Sequence, residues 1–329
     1  MNRHRLFASF AVASTATALA VVTAATATAS AATVAQAAVS QNWAGYAAGG
    51  TQFSSVSGNW VQPTAKCGSG QSYSAFWVGI GGASDQSSAL EQTGTQADCM
   101  ADGSAEYYAW YELVPAGPVK LDLAIKPGDH IAAKVNVDGS NVTVSLTDQT
   151  SGQSTTKTLQ MDNPDTSSAE WIAEAPSACD GSGGCQPLPL ADFGTVGFTN
   201  ATATANGHTG TISDSNWGAQ PVQLSGSGSS DVSYGTDAAS AGASPSSLSS
   251  DGSAFSVAYQ ASSGSTGATG GAGDYGYGDG GYGDGGYPGA GSGYGYGDGG
   301  YPGDGSGQYG YGGDGYGPGG YGVYTYGAF

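Results

Sequence analysis

Short runs of alternating or aromatic-rich apolar residues recur through the middle of the chain and predict strands. They lie at Val56–Val61, Ser74–Ile80, Glu106–Val114, Val119–Ile125, His130–Val137, Asn141–Thr147, Thr155–Met161, Ala169–Ala173, Thr195–Thr199 and Phe255–Tyr259. Turn formers separate them, among them Pro127-Gly128-Asp129 and Ser151-Gly152-Gln153. Ile131–Val137 and Val142–Leu146, on either side of Asp138-Gly139, form the clearest predicted hairpin. Helical periodicity is nearly absent. Many short strands at close spacing predict an all-β domain over about 41–260, an antiparallel β-sandwich or jelly roll.

The ends of the chain read differently. Arg3, His4 and Arg5 precede an uncharged, Ala-rich apolar run from Leu6 to Val22, and small residues follow in A-x-A patterns up to Ala31. Residues 1–31 are therefore expected to be a secretory signal peptide and take no part in the fold. No later apolar stretch is long enough to cross a bilayer. Residues 264–329 are dominated by Gly, Tyr, Asp and Pro in irregular repeats, which bury too little apolar surface to offset chain entropy. This tail is expected to be disordered, with its Tyr residues as possible contacts for glycan or cell wall. Its Asp spacing does not match calcium-binding nonapeptides.

Charge narrows the choice of partners. Beyond the leader only Lys66, Lys120, Lys126, Lys134 and Lys157 stand against all 26 acidic residues. Such a chain repels nucleic acid and anionic membranes. The four cysteines, Cys67, Cys99, Cys179 and Cys185, are read as disulfides in an exported chain. Three pairings are possible; the short loop between Cys179 and Cys185 favours that pair, leaving Cys67–Cys99. With no C-x-x-C and only His130 and His208 outside the leader, neither a metal nor another cofactor is expected.

The candidate chemistry sits in Ser168-Ala-Glu170-Trp-Ile-Ala-Glu174-Ala-Pro176. A period of two places Glu170, Ile172 and Glu174 on one face. Two carboxylates on one face repel, and one with a raised pKa suits acid/base work. Other hydrolytic plans lack their parts: the two His look like turn residues, and neither a G-x-S-x-G elbow nor H-E-x-x-H is present.

Four stretches precede this strand: Gln41-Asn-Trp-Ala-Gly45, Phe76-Trp-Val-Gly-Ile80, Leu90-Glu-Gln-Thr-Gly94 and Ala109-Trp-Tyr-Glu112. Phe193-Gly-Thr-Val-Gly-Phe198 follows it. In this order and spacing the chain resembles the glutamic peptidases, the eqolisins, from about Asn42 to Tyr259. The resemblance implies a two-sheet antiparallel sandwich, similar to legume-lectin and glucanase folds, that acts as an acid endopeptidase on protein or peptide substrates. It implies Gln92 and Glu174 as the catalytic dyad, with Trp77, Trp110 and Glu112 lining the cleft. Two positions depart from the family pattern. Gly81 stands where the family has Asp, and Val114 where it has an aromatic residue, which puts subsite shape in question. The family's fungal members carry a propeptide, for which the stretch between leader and Asn42 leaves little room.

In such a site Glu174 takes a proton from water, Gln92 donates to the oxyanion, and Glu174 returns the proton to the leaving nitrogen. A secreted glycan-binding or glycan-cleaving sandwich is the alternative, since Glu112 and Glu174 could serve as paired carboxylates and exposed aromatics stack on sugars. Gln92 discriminates, because a glycosidase does not require it.

Overall fold

The computed structural model describes residues 36–84, 87–179, 184–225, 241–262 and 324–325. The expected signal peptide and nearly all of the Gly/Tyr/Asp-rich tail lie outside these residues. The strands in chain order are β1 (Ala38–Ser40), β2 (Trp43–Gly49), β3 (Phe53–Val61), β4 (Ser72–Gly81), β5 (Leu90–Cys99), β6 (Ala105–Val114), β7 (Val119–Lys120), β8 (His130–Asp138), β9 (Asn141–Asp148) and β10 (Gln153–Gln160). They continue with β11 (Ser168–Glu174), β12 (Ser177–Cys179), β13 (Cys185–Pro187), β14 (Thr195–Ala205), β15 (His208–Thr211), β16 (Gly218–Leu224), β17 (Gly242–Pro245), β18 (Phe255–Gln260) and β19 (Tyr324–Thr325). No helix occurs among the described residues.

The main sheet runs β10-β9-β8-β3-β14-β18-β17-β16-β2-β11-β4-β5-β6-β7, with β1 on β16 and β15 on β14. Its pairings are antiparallel except the parallel β1–β16 contact. The two ends of this path pack face to face. The Trp60 indole on β3 donates to Thr95 Oγ1 on β5 at 2.9 Å, and the Trp171 indole on β11 donates to the Ser57 carbonyl on β3 at 2.8 Å. The main core, with Phe76, Val78, Trp171, Val135, Val144 and Phe198, fills the space between these layers. The antiparallel sandwich expected from the pattern is therefore present.

The hairpin at Asp138-Gly139 forms as read, with Asp138 opposite Asn141 and Gly139 at φ 58°. Two other readings differ. Val119–Ile125 is a strand only at Val119–Lys120, although Leu121, Leu123 and Ile125 point into the core as the alternation implies. An alternating pattern reports which side is buried, not whether a neighbour supplies the ladder. The sequence also gave no warning of β2 or β5. Every residue of β5 is buried, polar ones included, because the strand is covered on both faces and shows no hydrophobic alternation.

Both favoured disulfides are formed, Cys67–Cys99 across 32 residues and Cys179–Cys185 across 6. Chain entropy gives the longer closure roughly 3–4 kcal/mol and the shorter about 2 kcal/mol. Cys99 ends β5, so the longer bridge anchors the strand that carries Gln92. Of the tail, only Tyr324–Thr325 is described, paired as a strand with β12.

Candidate active site

Alternation along five neighbouring strands sorts the site residues onto one face. On β11, Ala169, Trp171 and Ala173 enter the main core, which leaves Glu170, Ile172 and Glu174 opposite. On β4, Phe76, Val78 and Ile80 enter the core and leave Trp77. β6 likewise leaves Trp110 and Glu112 on the far side from Ala109. Trp43, Trp77, Trp110, Leu90 and Ile172 form a separate apolar cluster there. All the residues proposed from sequence, Gln92, Glu174, Trp77, Trp110 and Glu112, are fully buried.

Glu174 is held from two sides. The Trp77 indole N–H donates to Oε2 at 2.6 Å, and Asn42 Nδ2 donates to Oε1 at 3.0 Å. Asn42 is itself fixed: the Ser40 hydroxyl donates to Asn42 Oδ1 at 3.2 Å, and the Ala175 N–H donates to the Asn42 carbonyl at 2.8 Å. Trp43 stands opposite Glu174 on the neighbouring strand and meets Trp77 edge-on, ring centres 4.9 Å apart. The roles of Asn42 and Ser40 were not read from sequence. The only signal was the Asn42-Trp43 motif near the start of the domain.

Gln92 lies on β5, an inner strand between β4 and β6, rather than in a loop. Its Nε2 donates to Glu112 Oε2 at 2.8 Å. That bond fixes which end of the amide is the donor. Gly79 separates Gln92 from β11, and no other residue fits: a Cβ there would lie 2.8 Å from the Trp77 ring and 3.3 Å from the Gln92 Cβ.

Register alone leaves the two glutamates of β11 on unequal terms. Glu170 lies in the same cross-strand row as Gly79, Gln92 and Glu112, whereas Glu174 aligns with Ala75 and Gln96. Electrostatics separates them differently. Burial raises the Glu174 carboxyl well above its usual range, and the neighbouring Glu112 charge raises it further; the Trp77, Trp43 and Asn42 hydrogen bonds pull it partly back. Burial also raises Glu170 strongly, but its charged neighbours are Asp165 and Glu91, with the Ser168 hydroxyl offsetting only part of the shift. No partner lies within ordinary hydrogen-bonding distance of either Glu170 oxygen among the described residues, so the Ser168 hydroxyl acts on it only from longer range. Thus Glu174, not Glu170, is coupled to the Glu112 that holds Gln92.

The position where the resemblance lacks an Asp is occupied by another element. Gly81 has φ 86°, and a Cβ added to it would lie 2.5 Å from the Asp165 carbonyl oxygen and 2.8 Å from the Asp165 Cβ. The Asp165 carboxylate accepts from the Ser87 hydroxyl at 2.5 Å and the Gly82 N–H at 3.3 Å. Behind it, Glu91 on the core face of β5 accepts from the Asp165 N–H at 3.3 Å and is pushed by burial to about 8.

His130 and His208 are both exposed. His208 Nε2 sits 2.9 Å from Asp214, away from this face.

Comparison with known proteins agrees with the motif order. The model of the peptidase A4 family matches residues 41–240. Aspergillopepsin-2 of Aspergillus niger is 34% identical over 195 residues, covering 52% of this chain and 66% of that protein. The crystal structure of scytalido-glutamic peptidase with a transition state analog inhibitor superposes with a TM-score of 0.53 at 28% identity, over 67% of this chain and 98% of that one. SCP-B, a member of the eqolisin family in complex with the tripeptide Ala-Ile-His, gives a TM-score of 0.50 at the same identity and coverage.

Proposed function

The chain belongs to the peptidase A4 family of glutamic peptidases, and from that premise we propose that it is a secreted, acid-acting endopeptidase using Gln92 and Glu174. One observation carries the reading. A buried carboxyl, held by Trp77 and Asn42, is coupled through Glu112 to an amide of fixed orientation on the same face of the sheet.

Each part has a task. As carboxylate, Glu174 takes a proton from the attacking water; its burial makes it a stronger base than an exposed glutamate. The oxygen of that water bonds to the scissile carbonyl carbon, and the carbonyl oxygen becomes an oxyanion. Gln92 donates to it through its amide nitrogen, which Glu112 keeps turned to the donating side. Glu174 then gives its proton to the amide nitrogen as the C–N bond breaks. Trp77 and Asn42 hold the carboxyl through both transfers, so no side chain must reorient between them. The Trp43–Trp77–Trp110 cluster keeps bulk water from the group that carries the proton.

Secretion is supported by the basic-then-apolar leader sequence and by the two disulfides. The substrates on this reading are proteins and peptides.

Digestion of an acid-denatured protein tests the reading. The natural chain is expected to cut it at acid pH, whereas Gln92→Glu and Glu174→Ala, both correctly folded, are not. Equal activity in all three would sink the dyad; no activity in the natural chain would sink the peptidase reading itself.

A further inference from the structure

A groove of about 570 Å³ opens on the Glu174 face of the sheet, over β2 and β16. Its surface is made largely of glycine, alanine and serine, with Ala47, Gly49 and Gly218 contributed by these two strands. It adjoins the apolar cluster of the site, because Ala47 and Val222, which line it, pack with Trp43, Trp77 and Ile172.

The two glycines are not there to relieve the fold. Gly218 has an ordinary φ, and a Cβ added to it would meet nothing closer than the Gly49 carbonyl oxygen at 3.9 Å. At Gly49 the nearest atom is the Ser167 carbonyl oxygen, also at 3.9 Å. Glycine inside a strand weakens it, and often marks a place that something else approaches closely. Here the missing side chains leave room for one from outside.

The character of the visitor follows from the walls. Among the described residues no ionisable side chain lines the groove, although the whole chain has a formal net charge of −19. A charged side chain would find no counter-ion there. Val39 on the rim is 70% exposed, the most exposed large apolar residue among those described. Gln220, beside Ala47 in the same cross-strand row as Glu170, offers an amide at the groove that can pair with a peptide backbone.

We propose that this groove is a specificity subsite that takes a bulky apolar side chain of the substrate at one fixed position from the scissile bond. The inference rests on the peptidase reading and adds the class of side chain that the enzyme selects.

Cleavage-site profiling with a mixed peptide pool tests it. The natural enzyme should favour Phe, Leu or Tyr over Ala and Gly at one position. Gly218→Leu, which places a side chain in the groove without meeting backbone, should lower the bulky-over-small ratio of kcat/KM at that position by about tenfold or more. Ala83→Leu, at another position that lines the groove, should do the same, and it decides the matter if Gly218→Leu fails to fold. A natural profile indifferent to bulk, or folded variants with an unchanged ratio, overturns the subsite. No cleavage by the natural enzyme overturns the underlying peptidase reading instead.

Discussion

The Trp77 indole N–H meets Glu174 Oε2 at 2.6 Å, across the pairing of β4 with β11. It links a residue of the Trp-Val-Gly-Ile motif to the second glutamate of Glu-Trp-Ile-Ala-Glu, two stretches 97 residues apart. Trp77→Phe keeps most of the apolar contact and removes the donor. A hydrogen bond to a charged group is worth about 1.5–3 kcal/mol. The expected result is a loss of about 10- to 100-fold in kcat/KM, with the acid limb of the pH–rate profile moved to higher pH. An unchanged profile would show that the contact is packing alone.

The two glutamates of β11 should behave as opposites. Glu174→Gln cannot accept a proton and should lower turnover by about 10²–10⁴-fold or more. Glu170→Gln replaces a buried carboxyl, whose proton burial helps to retain, with a neutral group of the same shape. Its turnover should stay within a few-fold of the natural chain, and its melting temperature near pH 8 should rise. If Glu170→Gln is the inactive variant, the assignment within the motif is reversed.

Glu112 is expected to act on Glu174 through its charge as well as on Gln92 through its hydrogen bond. Because the Glu112 charge raises the Glu174 carboxyl, Glu112→Gln should lower it. The acid limb of kcat/KM should then move to lower pH. The natural profile should be a narrow bell on the acid side of neutrality. Burial lifts its acid limb above the ordinary carboxyl range. A rate that climbs through neutrality would contradict the mechanism.

Stability should also depend on pH. Burial raises Glu91 from 4.5 to about 8 and Asp98 from 3.8 to about 7. In the unfolded chain both ionise near the ordinary carboxyl values, while in the fold they keep their protons longer. Their contribution is therefore fully present below about pH 4 and is lost progressively up to about pH 8. Together this amounts to roughly 9 kcal/mol at most. Urea unfolding should show the midpoint falling steadily between these limits, and Asp98→Asn should flatten part of the fall. A midpoint independent of pH would show that these carboxyls relax into water.

The β class, the hairpin at Asp138-Gly139, both disulfides and the face shared by Glu170 and Glu174 were legible in local patterns, which is what alternation and loop length report. β5 was not, because Leu90–Cys99 is buried on both sides and mixes Glu, Gln, Thr and Asp with small residues. Its strand character comes from neighbours β4 and β6, which no window of its own sequence contains. Asn42 as a holder of Glu174 was invisible for the same reason, since the contact spans 132 residues. The need for glycine at position 79 depends on the Trp77 ring lying over it.

Asp165 closes over Gly81 with its backbone as well as its side chain: a Cβ at 81 would meet the Asp165 carbonyl oxygen at 2.5 Å, the Asp165 Cβ at 2.8 Å and the Ala89 carbonyl oxygen at 3.0 Å. Changing residue 165 alone therefore makes no room at 81, because the carbonyl oxygen stays and the backbone at 81 keeps a φ of 86°. An aspartate at 81 needs the whole segment that carries Asp165 to take another path, so the difference between this chain and the family pattern at one position is expected to be a difference in the course of the chain at another.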